Sequence, residues 1–214
     1  MTKIYMVRHG ESAANYKRIY TGQSDFPLTE KGFRQAEMAG EYFKDKDVDC
    51  VIASPLKRAY NTGEAIAKAC RVPIFTDDGL MEINAGDWEG KKFDDLVTLY
   101  PESYNRFWRE DIGNCVPDGG EAVRDLYHRV TRTLDKIKNE HKGQTVVLAT
   151  HATPIRAMGA YLSGITAENL KDMRWASNAS ITYAAFDYNG ALCDFNYDYH
   201  DHLGDIVTGL PSNV

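Results

Sequence analysis

The sequence has no long hydrophobic run. No stretch approaches the ~20 apolar residues that a membrane-spanning helix needs, so no membrane partner is expected. Cysteine is scarce, four in 214 residues. Cys50, Cys70, Cys115 and Cys193 stand far apart with no C-x-x-C pair. That spacing argues against a zinc site or a disulfide framework and leaves buried or incidental thiols. An excess of positive charge is also missing: 25 basic against 31 acidic side chains give a net charge of −6. A general nucleic-acid binder would need the opposite sign on at least one face, so no nucleic-acid partner is expected. The start, M-T-K-I-Y-M-V-R-H, lacks the apolar region and small-residue cleavage pattern of a secretory leader, and a cytoplasmic location is expected.

What is present is ordinary globular material, 43% hydrophobic and 26% charged. No repeat and no low-complexity linker divides the chain, so residues 1–214 are read as a single domain. Segments rich in Val and Ile alternate with helical patterns. Strands are expected at Lys3–Arg8, Val48–Ala53, Pro73–Thr76 and Thr145–Thr150. Thr29 can cap a helix through Lys44 whose face carries Phe33, Ala36, Gly40 and Phe43. Ser54 as N-cap and Pro55 at the first helical position would open a second helix through Ala69. Glu121–Glu140 is strongly amphipathic, with Val123, Leu126, Val130, Leu134 and Ile137 on one side. Thr153 and Pro154 open a further helix that stops near Ser163-Gly164. Ile181–Asp187 and Ala191–Tyr197 flank Asn189-Gly190, a strong hairpin signal. The pattern predicts an α/β fold: a three-layer α/β/α sandwich around a mixed, mostly parallel sheet. Residues 91–120 break the alternation, with Phe93, Tyr100, Tyr104, Phe107 and Trp108 set among charges. They read either as a lid over a site or as an extra helix packed on the scaffold.

Ligands in open α/β sheets bind beyond the carboxyl ends of the strands. The first strand ends in Arg8-His9-Gly10-Glu11, the second in Ser54-Pro55-Leu56-Lys57-Arg58, and a later one in Thr150-His151-Ala152. Two histidines and two arginines thus gather at one edge of an acidic chain. Arg58 would stand in the first turn of a helix, where a cation is disfavoured by the helix dipole unless an anion binds there or a neighbouring carboxylate pairs with it. A phosphate dianion would satisfy such a pocket. Neutral imidazole can attack phosphorus in line while arginines hold the equatorial oxygens. A carboxylic acid must then protonate the leaving oxygen. Spacing alone does not choose among Asp77, Asp78, Glu82, Asp87 and Glu89.

The same residues carry a resemblance. Arg8-His9-Gly10-Glu11-Ser12 with Asn15 resembles the signature of the histidine phosphatase superfamily, the phosphoglycerate-mutase-like fold. Further along, Leu28-Thr29-Glu30-Lys31-Gly32 with Gln35-Ala36, Ser54-Pro55-Leu56-Lys57-Arg58-Ala59 with Thr62, and Glu82 with Gly86, Trp88, Glu89 and Gly90 are similar to successive family landmarks. So are Gly119-Gly120-Glu121 and Thr150-His151. The resemblance implies that His9 is the nucleophile that becomes phosphohistidine, and that Arg8, Arg58 and His151 bind the phosphoryl group. It implies that Glu82 is the proton donor and later the base. It also implies that Asn15, Thr21, Gly22 and the N–H of Ala152 line the phosphate or leaving-group side. Such chemistry needs no metal and no cofactor.

Three positions depart from the pattern. Ala152 follows His151 where glycine is common, Ala122 replaces a serine, and Met81 precedes Glu82 where many relatives carry arginine. The last should disfavour substrates with a second strong anionic group, unless another cation substitutes. Ile83–Trp88 resembles the small bacterial phosphatases more than the mutases. The expected partner is a small-molecule phosphomonoester. Alternatives are a phosphoglycerate-type mutase, a regulatory module that binds a phosphorylated ligand, and a metallohydrolase using the histidines as ligands. Outside this pocket, His200 and His202 with Asp198, Asp201 and Asp205 read as a solvated acidic tail rather than a metal cluster. His128 and His141 read as exposed. A homodimer is an open expectation.

Overall fold

The computed structural model describes residues 1–108 and 112–208. Six strands form one sheet in the order β3-β2-β4-β1-β5-β6. They are β1 (Thr2–Arg8), β2 (Cys50–Ala53), β3 (Ile74–Thr76), β4 (Thr145–Thr150), β5 (Ile181–Phe186) and β6 (Leu192–Tyr199). The four strands β3-β2-β4-β1 are parallel to their neighbours, whereas β5 and β6 are antiparallel. The expected mixed sheet is therefore present, with β4 and β1 at its centre.

Alternation along β1 shows how the layers are built. Ile4 and Met6 face one core, Val7 the other. The first core packs α6 (Val123–Glu140) and α7 (Ala152–Leu162) on the sheet through Val130, Leu134, Ile137, Ile155 and Met158. After the short α1 (Ala13–Lys17), α2 (Glu30–Phe43) and α3 (Lys57–Cys70) pack on the second core through Ala39, Phe43, Ile66 and Ala67. Helices on both faces leave only the ends of the strands open for a ligand. Among the described residues no helix is long and apolar enough to cross a membrane.

Thr29 caps α2 as expected, accepting from the Gly32 N–H at 3.0 Å. Phe33, however, is 45% exposed. The buried row runs through Gly32, Ala36, Gly40 and Phe43, because Gly32 lies so close to the Glu11 carbonyl that a Cβ there would sit 2.0 Å from its oxygen. That approach sets the helix rotation and turns Phe33 outward. The start of α3 also differs from expectation. It begins at Lys57 with Leu56 as N-cap and no side-chain cap. Ser54 lies outside the helix; its hydroxyl accepts from the Leu56 N–H at 3.4 Å and bonds His151, Oγ to Nε2 at 2.8 Å. Likewise α6 starts at Val123, since the Glu121 carboxylate is drawn to Arg129.

Between β3 and α6, residues 93–108 form α4 (Phe93–Leu99) and α5 (Pro101–Trp108). Their rings pack on the scaffold: Phe107 meets Trp88 at 5.5 Å and Tyr20 at 6.1 Å. The hairpin joins β5 to β6 as expected, but Asp187 pairs with Ala191, leaving a three-residue loop with Gly190 at φ 84°. The segment after β6 is not a solvated tail. Leu203 is buried, His202 stacks on Tyr199 and bonds the Ala179 carbonyl, and Thr208 donates to Glu11. Among the described residues no cluster of histidine, cysteine or carboxylate side chains is arranged to hold a metal. His128 is exposed, but His141 is half-buried and bonds Gln144 at 2.7 Å. Cys50, Cys70 and Cys193 are free thiols.

Candidate active site

The strand order places β2, β4 and β1 side by side, so their carboxyl ends deliver Ser54, His151 and Arg8-His9 to one place. A cleft of about 490 Å³ opens there, lined in part by Arg8, His9, Asn15, Thr21, Arg58, Glu82 and Ala152. His151 sits directly behind, its ring centroid 5.2 Å from that of His9. Gly22 is not among the residues that line the cleft; its carbonyl accepts from Arg58 Nη2 at 2.7 Å.

His9 is buried, and its Nδ1 lies 2.7 Å from the Gly10 carbonyl. A carbonyl can only accept, so Nδ1 carries the proton and Nε2 keeps its lone pair. Burial first, then the Arg58 and Arg8 charges, push the His9 imidazole well below the usual histidine range. It is therefore neutral at pH 7. His151 is depressed in the same way, by burial and then by Arg58 and His9.

Both arginines are anchored at one end and open at the other. Arg8 Nη1 donates to the Ala176 carbonyl at 2.6 Å. Arg58 donates from Nη1 to the Ser24 carbonyl and from Nη2 to Gly22. Arg8 Nε, Arg58 Nε and His151 Nδ1 are all buried without a partner. An unmet buried polar group costs ~1–3 kcal/mol, more when it is charged. Three such groups around one imidazole therefore favour an oxyanion with several acceptor oxygens. Asn15 adds a fourth group. Its Oδ1 is fixed by Ser12 N, Ser12 Oγ and Asn178 Nδ2, so its Nδ2 is left to donate toward the cleft.

Geometry also separates the five acid candidates. Asp78 and Asp87 are exposed, and Asp77 pairs with Lys136 at 3.1 Å. Only Glu82 lines the cleft. Burial pushes its carboxyl above the usual range, opposed by N–H donation from Ile83 at 2.8 Å and Thr153 at 3.3 Å and by the charge of Arg58. Such a group keeps its proton to higher pH than an ordinary carboxyl and can exchange it in either direction.

Glu89 has a different task. Its Oε1 accepts from the N–H groups of Gly22 (3.1 Å), Gln23 (2.6 Å) and Ala85 (3.4 Å), and Oε2 from Ser24 (3.2 Å). The loop that it holds presents the two carbonyls that orient Arg58. Glu89→Ala is therefore expected to lower kcat/KM by about 10², a typical consequence of misplacing a positioned group. A weakened affinity for inorganic phosphate, with an unchanged circular dichroism spectrum, would identify the cause.

Several participants were not assigned a role from the sequence. Ser54 fixes the His151 ring, Thr62 Oγ1 accepts from Gly10 N at 3.1 Å, and Asn178 Nδ2 donates to the His9 carbonyl at 3.0 Å. Ser54 and Thr62 lie inside a recognised motif, which marks the positions but not the bonds. Asn178 carries no such signal. Arg129 approaches the Glu82 loop from α6, bonding the Met81 carbonyl at 2.9 Å, yet its charge is held by Glu121. It does not supply the cation that Met81 lacks inside the cleft.

The chain is similar to known proteins over most of its length. A family model for the histidine phosphatase superfamily (branch 1) matches residues 4–197. Phosphoserine phosphatase 1 of Hydrogenobacter thermophilus is 35% identical over 165 residues, 77% of this chain and 78% of that one. The probable phosphoglycerate mutase GpmB of Shigella boydii is 33% identical over 196 residues, 90% and 87% of the two chains. Among solved structures, Bacillus stearothermophilus YhfR superposes with a TM-score of 0.88 at 28% identity, covering 95% of this chain and all of that one.

Proposed function

The chain belongs to the histidine phosphatase superfamily (branch 1), and from that membership together with the cleft we propose that it hydrolyses a small-molecule phosphomonoester through a phosphohistidine on His9. One observation carries the reading: a neutral imidazole with its Nε2 lone pair available stands among buried guanidinium N–H groups and a second imidazole nitrogen that have no protein partner.

In the first half-reaction Nε2 of His9 attacks phosphorus in line, and the P–O bond to the leaving alcohol breaks. Glu82 gives its proton to the departing oxygen. Arg8, Arg58, His151 and Asn15 hold the equatorial oxygens as charge builds on them. In the second half-reaction the Glu82 carboxylate takes a proton from water, whose oxygen attacks phosphorus as the P–N bond breaks. Inorganic phosphate leaves and Glu82 is again an acid. The helix dipole of α7 supports the same anion, since Ala152 is its first residue and offers an N–H with no intrahelical acceptor. The two guanidinium groups beside His9 and His151 repel a cation, which favours this reading over a metallohydrolase.

Release of inorganic phosphate from a panel of phosphomonoesters, with a chelator present, tests the proposal. Exchange of the phosphoryl group between two hydroxyls of one substrate, without phosphate release, would point to a mutase instead. Arg58→Ala is expected to lower kcat by about 10²–10³, the usual cost of losing one charge-stabilising donor. A loss below about fivefold in steady-state assays would remove Arg58 from the machinery.

A further inference from the structure

Beyond the phosphate-facing groups, the cleft is walled by Ile19, Tyr20, Phe93 and Trp175. These side chains are held from behind by a continuous aromatic cluster. Tyr20 meets Phe93 and Trp88 edge-on, each at 5.2 Å, and Trp175 lies 5.7 Å from Trp108 and 6.3 Å from Phe107. The wall is therefore preformed and gives a bound apolar group a fixed surface to cover. Among the described residues, the cationic side chains that line the cleft are Arg8 and Arg58, and both face the phosphoryl position. Arg156 stands behind Trp175, its guanidinium 4.1 Å from the ring centroid, with Nε on the Met173 carbonyl and Nη2 on that of Lys171. A leaving group with its own carboxylate would be desolvated against rings and close to Glu82. A neutral ring would bury apolar surface on the same wall.

We propose that this site selects phosphomonoesters whose leaving alcohol is neutral and apolar, such as an arylalkyl alcohol, over esters that carry a carboxylate, such as phosphoserine and 3-phosphoglycerate. The proposal rests on the phosphatase reading above and adds the identity of the leaving group. It separates this chain from the substrate in the name of its Hydrogenobacter relative.

The test compares 2-phenylethyl phosphate, O-phosphoserine, 3-phosphoglycerate and glycerol 2-phosphate on the full chain. All four are esters of aliphatic alcohols, so leaving-group acidity does not dominate the comparison. The expected kcat/KM for 2-phenylethyl phosphate exceeds those for phosphoserine and 3-phosphoglycerate by at least about tenfold, mainly through KM. Phe93→Ala, and separately Trp175→Leu, should reduce that ratio several-fold. Equal or better turnover of phosphoserine overturns the selectivity while leaving a phosphatase in place. An unchanged ratio in both variants overturns the role of the aromatic wall. Phosphate release from none of the four overturns the phosphatase reading, and this inference with it.

Discussion

Replacing His9 with alanine is expected to lower kcat by on the order of 10⁵, as removal of a covalent nucleophile does elsewhere. The fold should survive. His9 follows the last residue of β1 and is not a core filler, and its main-chain bonds to Thr150 and Asn178 do not need the ring. Arg8, Arg58 and His151 remain in the variant, so it should still bind inorganic phosphate. Isothermal titration with phosphate separates loss of chemistry from loss of the site. Activity within tenfold of the parent would show that another group attacks phosphorus.

Glu82→Gln is expected to cost about 10³ with alkyl esters, within the usual range for a positioned general acid. In kcat/KM, which reports formation of the phosphoenzyme and not its hydrolysis by water, the cost should be much smaller for 4-nitrophenyl phosphate, whose leaving group departs without a proton. The pH dependence follows from the two shifted groups. The imidazole of His9 is lowered, so the nucleophile stays neutral below pH 6.5 and activity falls only when more acid protonates it. The carboxyl of Glu82 is raised, so it remains a donor above pH 4.5 and loses that role as pH rises through its shifted value. Glu82→Gln should therefore abolish the alkaline limb of kcat/KM that this group causes and leave the acid limb intact. An equal loss of kcat/KM with both ester types would assign the proton to a different donor.

Much of this was legible in the sequence because it is encoded locally. The carboxyl ends of the four parallel strands, the Thr29 cap and the amphipathic stripe of α6 depend on neighbours within a few residues, and each appears as read. The gathering of Arg8, His9, Arg58 and His151 follows from the rule for strand ends once the strands are recognised. What was not legible depends on contacts made across the fold. Ser54 has the chemistry of a cap, but its hydroxyl also bonds His151, 97 residues later, a contact that no local pattern shows. Five carboxylates within thirteen residues are alike on paper, and only folding separates a cleft-facing Glu82 from a loop-holding Glu89. The aromatic segment looked like either a lid or an added helix. It is helical and packed, yet Phe93 still reaches the cleft, because the same ring cluster serves both the core and the wall.

Rapid-quench trapping of the phosphoenzyme tests the central claim most directly. With a ³²P-labelled monoester, label should appear on the protein within the first turnover, resist alkali, be lost in acid, and map to the peptide containing His9. Label that survives acid, that maps elsewhere, or that still forms in His9→Ala would contradict attack by this imidazole.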